Sequence, residues 1–380
     1  MRIVHVSDCF APRVGGIETQ VGDLASHQVA AGHEVHVLTA TADGDAYTSV
    51  TTTSDGVRVH RLASRLVGGL PVHPRGSALI ARRLRALAPD VVHVQAGVLS
   101  PFAFQGARVA READLPLAIT WHCMLDGVER PVRLGARALG WDGESAALSA
   151  VSEVAAARVA QAFPVEGGPG DVGVLPNGLD LEAWAPAPGA APRAADGVLR
   201  LVATQRVAPR KRTRTLVRTL AAVRTVLGED AVELTIAGDG PDLGRVRREA
   251  ERLGVGGSLH LLGRVPRAEL PALYARHDAF LSPARLEAFG IAALEARASG
   301  LPVVALAGTG IGTFVTHERE GLLAGDDAGL ASAVVRLALE KDLLAGIAAH
   351  NRAVPPATGW TDVLAAAERE YARARRLVRF

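Results

Sequence analysis

The chain has 380 residues, of which 48% are hydrophobic but only 4% aromatic. Such a length predicts two or three domains, and such a composition predicts a core built from Ala, Val and Leu. Peptides, small disulfide-bonded scaffolds and disordered proteins are therefore excluded. The 42 basic and 40 acidic residues leave a formal charge of +2. No chain-wide field attracts nucleic acid, so any anion-binding site must be local.

The number of cysteines and the pattern of apolar residues allow a prediction of the cellular compartment of the protein. Cys9 and Cys123 allow at most one optional disulfide, which indicates a reducing cytoplasm. The first apolar run contains Arg2 and His5, so we expect a strand there and no signal peptide. The long uncharged stretch 298–316 is interrupted by Gly, Pro and Thr, so we expect no membrane-spanning segment.

The first half of the chain alternates short apolar runs with longer amphipathic segments. That alternation is typical of parallel βαβ units. The apolar runs predict strands at 3–7, 34–39, 91–95, 117–121 and 148–151. The amphipathic segments predict helices at 18–31, 77–87, 102–113 and 153–163.

A Pro- and Gly-rich run after residue 184 is the strongest break in this pattern, and it predicts a linker at 185–198. A second series then predicts strands at 199–204, 232–237, 258–262, 279–282 and 302–306, and helices at 213–226, 242–253, 268–275 and 290–298. The expected fold class is α/β, with a first domain at 1–184, a second domain at 199–360 and a last helix at 361–380 that can cross back to the first domain. Both domains would be doubly wound and Rossmann-like, and they would face each other across a cleft that binds ligands at the carboxyl ends of strands.

The most informative segment runs from Glu287 to Glu295, where a strand end leads through a loop into a helix. The two carboxylates would lie about 12 Å apart if the spacer were helical, which is the reach of an extended nucleotide sugar. The backbone N–H groups of Phe289, Gly290 and Ile291 would be free donors at a helix N-terminus, where a diphosphate can bind. The alternative is that Glu287 only complements the helix dipole and Glu295 is a solvated helix residue.

A cationic cluster follows the strand predicted at 199–204, beginning at Arg206 and continuing through Lys211. Only two of the 42 basic residues are lysines, Lys211 and Lys341, so a rare residue type occurs inside an Arg-rich cluster. A compact ammonium suits the developing charge of a leaving diphosphate. A solvated basic surface at a helix start is the alternative.

Two further candidates lie in the first half. Gly15 and Gly16 open the loop after the first strand, so a phosphate could approach the backbone there without a Cβ in the way; simple turn chemistry explains the pair equally well. His122 follows the strand ending at Trp121 and is a candidate site residue at that strand end. The alternative is that His122 makes only a structural hydrogen bond.

Together these segments resemble the retaining family 4 glycosyltransferases, which have the GT-B fold. Glu287 and Glu295 match the family's E-x(7)-E motif, and the resemblance covers essentially the whole chain in order. It includes the segments 15–18, 174–178, 206–211, 237–241, 298–305 and 320–323. The resemblance implies that Glu287 contacts donor-sugar hydroxyls, Glu295 contacts the ribose, Arg206 and Lys211 receive the diphosphate, and His122 lies near the reacting sugar. One departure is Gln95, because many relatives have His-x-His where this chain has His93-Val-Gln95.

The resemblance implies a retaining hexosyltransferase that uses a nucleotide-diphosphate sugar and front-face displacement, with no metal and no cofactor. It also implies that the domain at 1–184 binds the acceptor and the domain at 199–360 binds the nucleotide sugar. A D-x-D sequence occurs at Asp43-Gly-Asp45, but in a polar loop that we expect to be solvated. The Gly-rich segments 238–244 and 308–312 do not have G-x-G-x-x-G spacing, so nicotinamide binding is not expected. The same fold also contains phosphorylases and epimerases, and a non-catalytic sugar-nucleotide sensor is a further alternative.

Donor base and acceptor are less constrained. Val265 and Arg267 lie in the segment expected to form the base pocket, and a guanidinium cannot accept hydrogen bonds from guanine, which slightly favours UDP over GDP. The acceptor hydroxyl could belong to a lipid, an inositol or aminocyclitol, or a glycan. Arginines of the helix predicted at 77–87 alternate with apolar residues, and further arginines precede them from residue 61 onward. This pattern predicts either peripheral contact with an anionic inner membrane face or a solvated amphipathic helix.

Overall fold

The computed structural model describes residues 1–13, 15–64, 73–138, 140–141, 144–164, 170–186 and 197–378. The chain divides into two compact units. Unit 1 comprises Met1–Gly178 and Thr358–Phe380, and unit 2 comprises Leu179–Ala357. Residues 187–196 of the predicted linker and 65–72 of the predicted lipid-contact segment lie outside the described residues.

The strands are short, as buried parallel strands commonly are. In chain order they are β1 (Arg2–Ser7), β2 (Glu34–Thr39), β3 (Thr48–Thr52), β4 (Arg58–Leu62), β5 (Val91–Ala96), β6 (Leu117–Trp121), β7 (Ala147–Ala150), β8 (Val172–Val174), β9 (Leu199–Thr204), β10 (Val232–Ala237), β11 (Leu259–Gly263), β12 (Ala279–Ser282), β13 (Val303–Leu306) and β14 (Gly321–Ala324).

Helices connect most of these strands. They are α1 (Gly16–Ala30), α2 (Gly76–Leu87), α3 (Pro101–Glu112), α4 (Glu129–Ala138), α5 (Glu153–Ala162), α6 (Leu181–Trp184), α7 (Thr213–Leu227), α8 (Leu243–Arg252), α9 (Leu270–Tyr274), α10 (Ile291–Ala298), α11 (Asp327–Leu339), α12 (Lys341–Ala353) and α13 (Trp360–Leu377).

In unit 1 the sheet has the order β3-β4-β2-β1-β5-β6-β7-β8. β3 pairs antiparallel with β4, and the other neighbours are parallel. All six residues of β5 are buried, as expected for a strand covered on both faces. The order reverses direction between β1 and β5, so the loops after these strands diverge at the carboxyl edge of the sheet.

In unit 2 the parallel sheet has the order β11-β10-β9-β12-β13-β14. This is the doubly wound order of a Rossmann fold, with the switch point between β9 and β12. α7 shows why the sequence forms its layers, because Leu216, Leu220 and Val223 recur at helical spacing and are fully buried. The two parallel-sheet units confirm the predicted α/β, GT-B fold class.

The last helix belongs to unit 1. α13 places Val363, Ala367, Tyr371 and Ala374 on one face, and these side chains join the core formed by strands β1, β5, β6 and β7. α6 instead belongs to unit 2, because Trp184 contacts the Tyr274 ring there, with centroids 5.9 Å apart. The compact units therefore break at 178/179 and 357/358, a few residues from the predicted bounds of 184/185 and 360/361.

Several elements differ from the prediction. The sequence analysis missed the β3–β4 hairpin, because β3 is a Thr-rich edge strand whose residues are mostly exposed. It also missed α4, which contains Pro131 and Gly135 and buries only Ala136 among its described side chains. None of the helices that the structure describes is long and apolar enough to cross a membrane.

Candidate functional site

The predicted cation cluster and the E-x(7)-E segment meet at the switch point of unit 2. β9 and β12 are neighbours in the sheet and run parallel, so the loops that follow Thr204 and Ser282 leave the same sheet edge. The first loop carries Arg206 and Lys211, and the second carries Glu287. Ligands of doubly wound sheets bind at such a point because the connections on either side diverge and leave a crevice.

Two glycines fix the course of the first loop. Gly238 has φ 151° and Gly240 has φ 156°, and a Cβ on either would lie within 2.3 Å of a carbonyl oxygen of Gln205 or Val207. The Gly238-Asp-Gly240 motif therefore serves close backbone packing after β10. Val207 N also donates to Asp239 O at 2.9 Å, so the loop that carries the cations is held against this turn.

Three of the four basic side chains of this loop, those of Arg206, Lys211 and Arg212, have different environments. Arg206 is exposed and makes no ion pair with any described carboxylate. Lys211 follows at the end of a single 3-10 turn, whose backbone is held by the Gln205 amide, 3.3 Å from Lys211 O. Arg212 turns inward instead, and its guanidinium donates to Pro283 O at 2.8 Å and to Asp327 Oδ2 at 2.6 Å. Arg212 thus connects the loop after β9 directly to the loop after β12.

Lys211 and Glu287 form an ion pair. Lys211 Nζ donates to Glu287 Oε2 at 2.6 Å, although the two residues are 76 positions apart. The two side chains are 36% and 17% exposed, so a ligand can reach both. An ammonium has three N–H donors, so Lys211 can hold Glu287 and still contact an anion. The structure therefore brings together the predicted diphosphate cation and the predicted sugar carboxylate.

The junction between β12 and α10 is shaped by close packing. Gly290 has φ 92° and precedes the first helical residue, Ile291. The first intrahelical bond runs from Leu294 N to Gly290 O, so the N–H groups of the first turn have no acceptor within the helix. Phe289 is buried against Phe314, with ring centroids 5.3 Å apart. Because the Phe289 ring is buried, the backbone N–H is the group of this residue that can contact a ligand.

Gly310 supports this junction from the loop after β13. Its N–H donates to Glu287 O at 2.8 Å, and a Cβ there would lie 1.9 Å from Ala288 O. The glycine-rich segment 308–312 therefore packs against the carboxylate loop, which explains its composition without a dinucleotide.

Glu295 is buried, in contrast to the alternative of a solvated helix residue. It is 5% exposed, and its Oε1 accepts a hydrogen bond from Arg267 Nε at 3.1 Å. The Arg267 guanidinium also lies over the Trp184 ring, 5.6 Å from its centroid. Burial, followed by the Glu295 charge, raises the pKa of the neighbouring Tyr274 phenol. Val265 lies half-buried just before Arg267. A ribose contact to Glu295 stays a prediction, and it requires adjustment of this pair.

The spacing argument for the two carboxylates was only partly right. Only residues from Ile291 onward are helical, and Gly290 is in the left-handed region. Of the seven residues between the two carboxylates, three lie in the loop and four in the helix, so the distance between the carboxylates does not follow from helical rise.

The unit 1 candidates are placed at the carboxyl edge of the other sheet. Gly15 has extended backbone and precedes α1, which begins at Gly16, two residues earlier than predicted. A Cβ on Gly15 would meet the Glu18 carboxylate at 2.4 Å. His122 follows β6, and its Nε2 lies 2.7 Å from Gln95 Oε1. Burial lowers the pKa of His122 to about 4, so the ring is neutral at neutral pH.

Asp8 is a titratable group at this edge that the sequence analysis missed. Its carboxylate accepts from the N–H groups of Phe102 and Ala103, at 3.0 and 3.3 Å, at the start of α3. Burial nevertheless raises its pKa to about 6. A polar residue directly after a buried strand was the available signal, and no spacing rule connects it to a helix almost a hundred residues later.

Two predicted segments have structural explanations. Asp43 pairs with Arg61 at 3.3 Å, and no group of three or more His, Cys, Asp or Glu side chains in the described ranges is arranged to hold a metal ion. Arg61 is 5% exposed and donates to Ala11 O and Thr41 O, so it is unavailable to lipid. Ile80 and Leu84 of α2 are likewise buried in unit 1. Metal independence and membrane contact both stay predictions.

Comparison with known proteins identifies the same family that the sequence motifs resemble. Residues 14–183 match the family described as Glycosyltransferase Family 4, and residues 199–340 match Glycosyl transferases group 1. The chain is 31% identical to the GDP-mannose-dependent alpha-(1-6)-phosphatidylinositol monomannoside mannosyltransferase of Mycobacterium tuberculosis strain H37Rv, with 98% of both chains covered. It is 30% identical to a GDP-mannose-dependent alpha-mannosyltransferase of Mycolicibacterium smegmatis, with 92% of both covered.

Solved structures show the same fold. Anabaena HepE, crystallised with UDP and glucose, superposes with a TM-score of 0.73 at 20% identity, covering 98% of this chain and 99% of HepE. The fold and the family matches together define a GT-B glycosyltransferase that uses a nucleotide sugar. Within that class, the chain belongs to glycosyltransferase family 4.

Proposed function

We propose that this protein is a retaining, metal-independent mannosyltransferase that transfers the hexose from GDP-mannose to a hydroxyl acceptor. The observation that carries the proposal is the Lys211–Glu287 pair at the switch point of unit 2, 2.6 Å between Nζ and Oε2. In this proposal the ammonium binds the diphosphate and the adjoining carboxylate binds sugar hydroxyls, next to the N–H groups at the start of α10.

The chemistry assigned to these groups is a front-face displacement. The acceptor oxygen forms the new bond to the anomeric carbon on the face from which the diphosphate leaves, so the configuration is retained. The acceptor proton passes to an oxygen of the leaving β-phosphate, and GDP departs. Lys211 and Arg206 stabilise the negative charge that develops on the diphosphate. Glu287 accepts hydrogen bonds from sugar hydroxyls and orients the ring; it forms no covalent bond.

The remaining site residues act in binding. Phe289, Gly290 and Ile291 offer backbone N–H groups to the diphosphate. Glu295 would contact the ribose through a carboxylate oxygen once the hydrogen bond from Arg267 to that carboxylate has shifted. In unit 1, Gly15 and Gly16 would allow close approach of a phosphate, and His122 would contact a hydroxyl near the reacting carbon. These unit 1 roles follow from the family resemblance.

GDP-mannose is proposed as donor because two relatives with 30–31% identity are named as GDP-mannose-dependent. The slight preference for UDP assumed that the Arg267 guanidinium faces the base. In the structure Arg267 Nε donates to Glu295, and the guanidinium lies over the Trp184 ring. These two contacts weaken the assumption. A UDP-sugar is therefore the second donor to test.

For the acceptor we propose a lipid-linked inositol, because the Mycobacterium tuberculosis relative is named for a phosphatidylinositol monomannoside acceptor. Membrane contact would then use exposed cations of α2, such as Arg82 and Arg85. Vesicle flotation tests this step. Preferential recovery with anionic over neutral liposomes supports it, and equal recovery removes it.

The transfer assay uses purified protein with GDP-mannose or UDP-glucose, and with phosphatidylinositol-mannoside vesicles or soluble inositol phosphate as acceptor. We expect mannose transfer to the vesicles, an α-linkage by NMR and the same rate in excess EDTA. A β-linked product would refute retention, and loss of the rate in EDTA would refute metal independence. Binding of donor without transfer to any acceptor would instead indicate a sugar-nucleotide sensor, and dependence on free phosphate would indicate a phosphorylase.

A further inference from the structure

Unit 1 contains a continuous chain of buried polar side chains that begins at His122. His122 Nε2 lies 2.7 Å from Gln95 Oε1, and Gln95 Nε2 lies 3.0 Å from His5 Nδ1. His5 Nε2 in turn lies 2.7 Å from Gln28 Oε1. Gln95, His5 and Gln28 are each at most 2% exposed. His122 is therefore hydrogen-bonded to a partner that water does not reach.

The chain continues to the C-terminal helix and back into the sheet. Gln28 Nε2 donates to Tyr371 Oη at 2.7 Å, and Tyr371 Oη lies 2.9 Å from His93 Nδ1. His93 Nε2 lies 2.7 Å from Thr120 Oγ1, which is 2.8 Å from Ser149 Oγ. We call this set the buried polar chain: His122, Gln95, His5, Gln28, Tyr371, His93, Thr120 and Ser149. None of its side-chain atoms is among the described buried polar atoms that have no partner.

With the Gln95 and Gln28 amides oriented as in the structure, the donor and acceptor rules give the position of each proton. An amide oxygen cannot donate, so His122 Nε2 carries the hydrogen and Gln95 Oε1 accepts it. An amide nitrogen cannot accept, so His5 Nδ1 is unprotonated and His5 Nε2 donates to Gln28. The Gln28 nitrogen then donates to the Tyr371 oxygen, which leaves the phenol hydrogen for His93 Nδ1. All three imidazoles are therefore neutral Nε2–H tautomers.

Because each member between His122 and Ser149 uses one donor and one acceptor within the chain, the tautomers are coupled. Moving the His122 proton to Nδ1 requires both glutamine amides to turn and both other imidazoles to change tautomer. Burial supports the neutral forms, since it lowers the pKa of His5 to about 4 and that of His93 well below its usual range. The His122 Nδ1 atom is then left as a hydrogen-bond acceptor, which suits a hydroxyl ligand.

We propose that Gln95 is a positioning residue that fixes His122 in its Nε2–H tautomer, and that it does so as part of the buried polar chain that passes through Tyr371 of the C-terminal helix. The consequence for turnover rests on the proposed function, in which His122 contacts a hydroxyl near the reacting carbon. The tautomer itself does not rest on it. Gln95 replaces the second imidazole of His-x-His, and an amide can accept from one imidazole while donating to another, as one neutral imidazole also can.

The test is long-range ¹H–¹⁵N NMR of unliganded protein labelled with ¹⁵N-histidine, with His122 assigned from the spectrum of His122→Phe. We expect protonated Nε2 and unprotonated Nδ1 at His122 in the wild type. Gln95→Leu should give a tautomer mixture, and Gln95→His should restore the single form because it keeps one donor and one acceptor. Gln161→Leu changes an exposed glutamine of unit 1 and serves as the matched control.

Tyr371→Phe provides a second variant should Gln95→Leu fail to fold, because it removes one hydroxyl and keeps the ring. It should also give a mixture at His122, although position 371 does not contact that ring. A wild-type His122 that is protonated on Nδ1, or a single Nε2–H form that persists in both variants, overturns the proposal. In the transfer assay, kcat/KM should fall on the order of tenfold or more in Gln95→Leu and recover in Gln95→His. A tautomer that shifts without any change in kcat/KM would leave the positioning intact and refute the role of His122 in turnover.

Discussion

Replacement of Lys211 by Met tests the leaving-group role most sharply, because the side chain keeps its length and loses only the ammonium. A hydrogen bond to a charged group contributes about 1.5–3 kcal/mol, so one lost contact to the diphosphate lowers kcat/KM about ten- to a hundred-fold. The loss exceeds that range if the contact strengthens as charge develops. Folding should change by less than about 1 kcal/mol, because the Lys211–Glu287 pair is partly exposed.

The assay measures kcat and KM for GDP-mannose at saturating acceptor, together with the thermal midpoint. An interaction made mainly in the transition state lowers kcat and kcat/KM by similar factors. Lys341→Met is the matched control, because Lys341 is the other lysine of the chain and lies exposed at the start of α12. Turnover in Lys211→Met equal to that in Lys341→Met would refute the leaving-group role.

Three further outcomes are expected. Arg212→Met removes the guanidinium bond to Pro283 O and should loosen the loop after β9 that carries Arg206 and Lys211. We expect kcat to fall about tenfold and donor affinity to fall by a smaller factor. Gly310→Ala places a Cβ 1.9 Å from Ala288 O and should destabilise unit 2 by about 1–3 kcal/mol and reduce donor affinity. Asp8→Asn should gain stability relative to the wild type as pH rises from 4 to 6, the difference between the two shifting by up to about 3 kcal/mol, as measured by thermal midpoints.

The sign of the Asp8 effect follows from proton linkage. Its pKa is about 6 in the folded protein and 3.8 in the reference state. Between these values the folded state holds a proton that the unfolded state has lost, so wild-type stability falls as pH rises through this window. A difference between variant and wild type that does not change from pH 4 to 7 would contradict the assigned pKa.

The other two predictions have matched controls. Arg218→Met removes an ion pair between the exposed Arg218 of α7 and Glu249 of α8, and its kcat should equal that of the wild type. Equal losses in Arg212→Met and Arg218→Met would show that Arg212 has no special role. Gly312→Ala adds a Cβ that meets nothing within 4 Å. A thermal midpoint for Gly310→Ala that matches Gly312→Ala would show that the junction tolerates the added methyl group.

The fold was predictable from the sequence where buried apolar runs were short and flanked by turns. The strands at 199–204, 232–237 and 279–282 match β9, β10 and β12 residue for residue. β3 was missed because its Thr-rich residues face solvent and carry little hydrophobic signal. Short strands with a half-exposed or Gly-containing pattern, such as β8, are equally weak in sequence.

The site was predictable as a list of residues but not as a set of contacts. Spacing along the chain indicated Glu287 and Lys211 separately, and their pairing depends on the adjacency of β9 and β12 in the folded sheet. The sequence also gave no sign that Arg212 turns inward to Asp327, 115 positions away, while Arg206 stays exposed. The burial of Glu295 against Arg267 likewise depends on tertiary packing, which propensity and periodicity do not encode.

The central claim is that the activated sugar binds to the β12–α10 junction and to the adjoining loop after β9, which carries Arg206 and Lys211. A crystal structure with an unreactive 2-fluoro analogue of GDP-mannose tests it directly. We predict diphosphate oxygens within hydrogen-bond distance of Lys211 Nζ and of the Gly290 or Ile291 N–H, with sugar hydroxyls on the Glu287 carboxylate. An analogue bound at another place, with these groups untouched by it, would contradict the claim.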